Sequence, residues 1–103
     1  MKISIVFPIH NEYENLNILI KEWDSELKKI LNINYEFVLV EDGSTDGTKE
    51  LIKELENKYP IINLSSDKKR GYGKAVLDGI ISSTGDFILC TDSDNQIKVK
   101  SLI

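Results

Sequence analysis

Asp92-Ser93-Asp94 sets two carboxylates one residue apart directly after a short apolar run. That spacing can offer hard oxygen ligands to Mg²⁺ or Mn²⁺, with water and phosphate oxygens filling the remaining positions. A bare Asp-x-Asp also occurs in turns where the carboxylates only bond backbone amides, so the motif alone leaves both readings open. Three more polar clusters follow apolar runs in the same way: Pro8-Ile9-His10-Asn11-Glu12, Glu41-Asp42-Gly43-Ser44-Thr45-Asp46, and Ser65-Ser66-Asp67-Lys68-Lys69-Arg70-Gly71. If all four meet at one rim, their carboxylates repel one another unless a cation or hydrogen-bond donors offset the charge, which points toward a metal. Lys68-Lys69-Arg70 is either a solvated loop or a contact for a small anionic ligand. Gly71 and Gly73 beside it allow close backbone approach or a flexible helix entry.

Four short apolar runs carry these clusters: residues 3–7, 37–40, 61–64 and 87–90. They are nearly continuous rather than alternating, the pattern of strands covered on both faces in a parallel sheet. Between them, Leu16, Leu19, Ile20, Trp23, Leu27, Ile30 and Leu31 recur at helical steps, which makes Trp23 a core residue. Thr48, Leu51, Ile52 and Leu55 form a second stripe, with Asp46 as N-cap and Pro60 closing the segment. A third helix is predicted over residues 73–83, with Ala75, Val76 and Ile80 packed, Gly79 letting it approach the sheet, and Gly85 as the terminating glycine. Strand and helix alternating in this order predict a single domain over residues 1–103: a three-layer, doubly wound α/β fold on a mostly parallel sheet. In such sheets ligands bind beyond the carboxyl ends of the strands, where all four polar clusters fall.

The bulk composition narrows the function classes. With 103 residues, 41% hydrophobic and 29% charged, the chain reads as one small soluble domain. A formal net charge of -4 argues against nucleic acid as partner, because phosphate-backbone binding needs an excess of Lys and Arg. A lone Cys90 at the end of a buried strand forms no internal disulfide and reads as structural, and no run suits a signal peptide or membrane span, so a reducing cytoplasmic setting is expected. His10 is the sole histidine, which excludes a site built on several imidazoles. Gly71-x-Gly73 lacks the third glycine of a dinucleotide fingerprint, and no phosphate-loop motif is present. A calcium loop opening at Asp92 fails because Ile97 replaces its glycine and Ile103 its glutamate.

The motifs Val-Phe-Pro-Ile-His-Asn-Glu at 6–12, Val-Glu-Asp-Gly-Ser-Thr-Asp-Gly-Thr at 40–48, Arg-Gly-Tyr-Gly-Lys-Ala at 70–75, Thr-Gly-Asp at 84–86 and Thr-Asp-Ser-Asp-Asn at 91–95 occur together and in order. In this combination the chain closely resembles the inverting family-two glycosyltransferases, over its whole length. Within them it is most similar to the polyprenyl-phosphate sugar transferases typified by dolichyl-phosphate mannose synthase. The resemblance implies a GT-A fold with strand order 3-2-1-4 and a UDP- or GDP-sugar donor. It implies Mg²⁺ or Mn²⁺ held by Asp92 and Asp94, and an acceptor such as a polyprenyl phosphate at the membrane or a glycan. Pro8, His10 and Glu12 then fall where the family contacts base and ribose, and Asp42 matches the acidic residue that bonds the base. On chemistry alone, Lys68, Lys69 or Arg70 could assist at the diphosphate from the neighbouring loop. Glu41 departs from the commoner Asp-Asp form of the second motif.

Residues 97–103 read as the opening of a further element, so the chain is expected to be the nucleotide-sugar-binding portion of a longer transferase. Acceptor site and general base would then lie further on, the piece alone would have little activity, and an uncovered sheet edge would favour homo-oligomers. The competing reading is a non-catalytic nucleotide-binding or assembly module of the same fold.

Overall fold

A computed structural model describes residues 1–30 and 32–91. The elements run β1 (Lys2–Ile9), α1 (Tyr13–Lys28), β2 (Asn34–Glu41), α2 (Thr48–Leu55), β3 (Ile61–Asn63), α3 (Tyr72–Ser82) and β4 (Phe87–Cys90). All strand pairs are parallel and the sheet order is β3-β2-β1-β4. This is the expected order, with the chain reversing its direction of travel across the sheet between β3 and β4.

Strand alternation divides the core between the two faces. Ile5, Phe7, Ile9, Phe37 and Leu39 point to one side and pack with Leu16, Leu19, Ile20, Trp23 and Leu27 of α1 and Ile52 and Leu55 of α2. Leu31, expected on the same stripe, lies outside the described residues. Val6, Val38 and Val40 point to the other side and meet Ala75 of α3. The three layers follow from this: two helices, sheet, one helix. Trp23 stands edge-on to Phe7, with ring centroids 5.7 Å apart at 78°, so its indole is core packing as expected.

The third layer is thin because α3 lies close to the sheet. A Cβ on Gly79 would stand 2.9 Å from Val40 Cγ2 and nearer still to Val6, so only glycine admits this contact. Gly85 also acts through space rather than as a helix terminator. The helix ends at Ser83 in extended conformation, and a Cβ on Gly85 would come within 2.6 Å of Ser4 Oγ. Next to it lies a buried polar knot. Glu36 accepts from Ser4 Oγ at 2.7 Å, from Thr84 N and Thr84 Oγ1 at 2.8 Å each, and pairs with Lys2 Nζ at 3.0 Å. Burial opposes ionisation of Glu36, but these bonds outweigh it and bring its pKa down to about 2.

Three expectations change. Ile80 is 38% exposed, since α3 packs through its small residues and turns its larger ones outward. Cys90, expected at the end of a buried strand, is exposed on β4, which among the described strands pairs with β1 alone. Gly47, not Asp46, occupies the α2 cap position, although Asp46 Oδ1 still accepts the Thr48 amide at 3.1 Å.

Candidate functional site

The loops after β1, β2 and β3 meet at the carboxyl rim and are bonded to one another. Parallel register dictates the meeting: Ile9 pairs with Glu41, so both strands reach the rim together, and Asp42 N donates to the Ile9 carbonyl at 2.8 Å. Pro8 and Glu41 are still inside their strands, so the first two clusters begin one or two residues later than the apolar runs suggest.

The first loop is latched to the second. His10 Nδ1 lies 2.6 Å from the Asp42 carbonyl oxygen. Asn11 N donates to Ser44 Oγ at 2.9 Å, and Thr45 N donates to Asn11 Oδ1 at 2.8 Å. Glu12 N donates to Thr48 Oγ1 at 3.1 Å and Tyr13 N to Asp46 Oδ2 at 3.2 Å. Glu12 also begins α1, its carbonyl accepting the Leu16 amide at 2.9 Å. With Asn11, Tyr13, Asn15 and Asp46 it lines a shallow pocket.

The third loop is fastened to the second through Asp42 and Arg70. Asp42 Oδ1 accepts Arg70 N at 2.5 Å and Arg70 Nε at 3.3 Å, and Oδ2 accepts Gly71 N at 3.1 Å. Arg70 Nη2 donates to the carbonyls of Glu41 at 3.0 Å and Leu64 at 2.9 Å, while Nη1 pairs with Asp78 at 3.0 Å. The planar guanidinium suits this task because its donors diverge in fixed directions. The Arg70 side chain is 12% exposed and is committed to internal acceptors. Lys68 and Lys69 carry exposed side chains. Gly71 adopts φ 92°, and a Cβ added there would meet no atom within 4 Å, so glycine serves the left-handed conformation and not close packing. A Cβ on Gly73 would likewise meet nothing within 4 Å.

Hydrogen-bond donors offset the carboxylates of these loops, with one oxygen of Glu41 as the exception. Glu41 is fully buried and Oε2 accepts the Ser44 amide. Its Oε1 makes no hydrogen bond and lies 4.0 Å from Lys49 Nζ, which itself bonds Asp67 at 2.8 Å. That bond raises the Lys49 pKa and lowers that of Asp67. Burial works against ionised Asp46, but bonds from the Thr48 hydroxyl and from the Tyr13 and Thr48 amides hold its pKa below the ordinary carboxylate value. Among the described residues no group of three or more His, Cys, Asp or Glu could hold a metal. Asp92 and Asp94 lie outside the described residues, as does the further element expected over 97–103. Thr91 brings the chain to the rim beside β1, its amide donating to the Val6 carbonyl at 3.0 Å.

The glycosyl transferase family 2 model matches residues 4–102, a span containing every one of these loops. The chain belongs to that family. Relatives within it are named for sugar transfer to polyprenyl phosphates. A dolichol-phosphate mannosyltransferase of Pyrococcus furiosus is 38% identical over 96 residues, covering 93% of this chain and 26% of the relative. An undecaprenyl-phosphate 4-deoxy-4-formamido-L-arabinose transferase of Yersinia enterocolitica is 39% identical over 97 residues, covering 92% and 29%. The family-two chain thus spans under a third of these relatives' length.

Solved glycosyltransferases share the fold. S. aureus TarS 1-349 in complex with UDP-GlcNAc superposes with TM-score 0.79 at 28% identity, covering 99% of this chain and 29% of that one. The mannosyltransferase PcManGT from Pyrobaculum calidifontis, in complex with GDP-Man and Mn²⁺, gives TM-score 0.66 at 22% identity, covering 89% and 27%. At that identity the likeness speaks for the fold alone.

Asn11, Ser44, Thr45 and Thr48 join the first two loops, a role the sequence does not reveal. Each is a short polar side chain beside a strand end, suited to bonding backbone amides. Their partners lie 33 to 36 residues away in sequence, so spacing alone does not reveal them.

Proposed function

We propose that these loops form the nucleotide end of a donor site, and that the chain takes part in transferring a sugar, with inversion, from a UDP- or GDP-linked donor to an acceptor. The observation that carries this reading is the bonding of three post-strand loops at one rim, in a chain matched to family two across residues 4–102. Relatives named for polyprenyl-phosphate acceptors support a lipid phosphate as acceptor. A cytoplasmic, membrane-surface setting would suit that acceptor. No helix among the described residues is long and apolar enough to cross a membrane.

Residue roles follow from the site's free capacity. A carboxylate has about four lone-pair sites, and Asp42 uses three on Arg70 and Gly71, leaving one on Oδ2 for a base N–H. Arg70 serves by holding Asp42 in place, and Lys69, exposed like Lys68, is available to the diphosphate. Pro8, His10 and Glu12 face base and ribose. Among the described residues no group of three or more His, Cys, Asp or Glu could hold a metal, and Mg²⁺ or Mn²⁺ is assigned to Asp92 and Asp94, whose hard oxygens suit either ion. When bound, that cation offsets charge building on the diphosphate as the glycosidic bond breaks.

Titration with UDP- and GDP-sugars, with and without Mn²⁺, tests the proposal. Binding should strengthen with metal and lose that dependence in Asp94→Ala. Nucleotide binding indifferent to both would favour a non-catalytic binding module instead.

A further inference from the structure

Helix α3 is apolar on two opposite sides. Ala75 is buried against Val6, Val38 and Val40, and Gly79 lies too close to Val6 and Val40 to carry a side chain. At about 3.6 residues per turn, Leu77 stands two positions from each of these and points away from the sheet, as does Ile81 two positions beyond Gly79. Leu77 is 54% and Ile81 72% exposed. Lys74, with a side chain 66% exposed, precedes them by one and two helical turns, so the three form one outward ridge. The helices on the other face of the sheet are built differently: α1 turns Lys21 and Glu22 to the surface around a single exposed Ile18, and α2 turns out Lys53 and Glu54. A surface helix ordinarily sets polar side chains opposite its packed face, so an outward apolar ridge marks an interaction surface. Helices of one layer lie side by side on the sheet, so the ridge faces outward whatever flanks α3.

Positive charge gathers at the rim end of this ridge. Residues 68–83 hold Lys68, Lys69, Arg70 and Lys74 against Asp78 alone, an excess of +3 in a chain whose formal net charge is -4. Arg70 pairs with Asp78 at 3.0 Å, which leaves the excess on the exposed lysines, with Lys74 standing 3.7 Å from the same carboxylate. Asp67, next in the loop, is bonded by Lys49 at 2.8 Å. This combination matches an anionic bilayer: leucine and isoleucine enter the boundary of headgroups and acyl chains, and the ammonium groups meet lipid phosphates. Protein interfaces are by contrast poor in lysine, and a second copy packed face to face on a two-fold axis would set these lysines against themselves.

We infer that the outward ridge of α3, together with the lysine loop before it, is the surface by which this chain lies on an anionic bilayer. The consequence for sugar transfer rests on the donor-site reading. Helix α3 starts at the rim, where Gly71 N donates to Asp42 Oδ2 at 3.1 Å, so a bilayer against α3 presents lipid phosphates beside the loops assigned to the diphosphate. A polyprenyl phosphate then enters from the α3 side.

Co-sedimentation with phosphatidylcholine vesicles, with and without phosphatidylglycerol, tests the inference in the absence of nucleotide. The chain should bind vesicles containing phosphatidylglycerol at low ionic strength, bind phosphatidylcholine alone far less, and be released as salt is raised. Leu77→Ser with Ile81→Ser should weaken binding about tenfold or more, and Lys68→Gln with Lys74→Gln by about as much. Controls in the opposite layer, Ile18→Ser and Lys21→Gln with Lys53→Gln, remove an exposed apolar side chain and the same charge, and should bind as wild type does. If the double serine variant fails to fold, the double glutamine variant still decides. Wild-type protein that ignores phosphatidylglycerol vesicles, an α3 variant that binds them as wild type does, or an equal loss in the controls overturns the inference. So does self-association abolished by Leu77→Ser with Ile81→Ser, which assigns the ridge to a second copy. A chain that binds these vesicles but neither UDP nor GDP defeats the donor-site reading alone and leaves the bilayer surface standing.

Discussion

Phe37-Val38-Leu39-Val40 and Phe87-Ile88-Leu89-Cys90 are nearly interchangeable as sequence, yet they occupy opposite environments. Every residue of the first run is fully buried, while Phe87 is 60% and Ile88 41% exposed. The first lies in β2, paired with β1 on one side and β3 on the other, with helices over both faces. The second lies in β4, which among the described residues pairs only with β1, at the edge of the sheet. The difference shows that an apolar run specifies a strand, while neighbours in the sheet specify whether that strand is covered. Exposed apolar side chains also occur on α3, where Leu77 is 54% and Ile81 72% exposed.

Matched truncations test this contrast most sharply. Phe37→Ala should destabilise the protein by roughly 3 to 5 kcal/mol, through lost transfer energy and a cavity among Phe7, Tyr35 and their neighbours. Denaturant unfolding would measure it, and a loss near zero would mean that the central layer is not packed as described.

An intermediate effect belongs to the knot that ties β2, across β1, to the turn before β4. The folded pKa of Glu36 is about 2 against an ordinary 4.5, so its stabilisation is present in full above 4.5 and disappears as pH falls toward 2. Glu36→Gln should remove about 2 kcal/mol at neutral pH, in line with lost hydrogen bonds to a charged group, and should flatten the acid limb of the stability profile. Parallel pH profiles for wild type and variant would discredit the knot.

The smallest change is expected from Phe87→Ala, within about 0.5 kcal/mol, as for other exposed positions. A loss approaching that of Phe37→Ala would show that the β4 face is covered in solution. The contrast drawn from burial would then disappear.

Much of the site is legible in the sequence, because the residues that crowd strand ends are chemically conspicuous: Asp42, Arg70, His10 and Glu12 stand out from the apolar runs around them. Less legible is what each one does. Arg70 reads as a cation for an anionic ligand, yet its guanidinium is spent on Asp42, Asp78 and two carbonyls. The crowding of carboxylates suggests a metal, yet the Ser44 amide, the Thr48 and Tyr13 amides and the Arg70 loop bond Glu41, Asp46 and Asp42, leaving Glu41 Oε1 without a hydrogen bond. Charge type is a local property of a residue, whereas the partner that neutralises it arrives from another loop.

The linear chain was enough to determine the alternation of strands and helices, Trp23 as core and the gathering of polar loops at the carboxyl rim, because these depend on periodicity and on rules general to parallel sheets. Family membership also rests on linear order, since five motifs recur in their proper succession. Only the tertiary structure decided that Cys90 and its β4 neighbours are exposed, that Gly85 makes room for Ser4, and that Asn11 joins Ser44 and Thr45. Each of those outcomes depends on distances between atoms more than 30 residues apart in sequence, which no local pattern encodes.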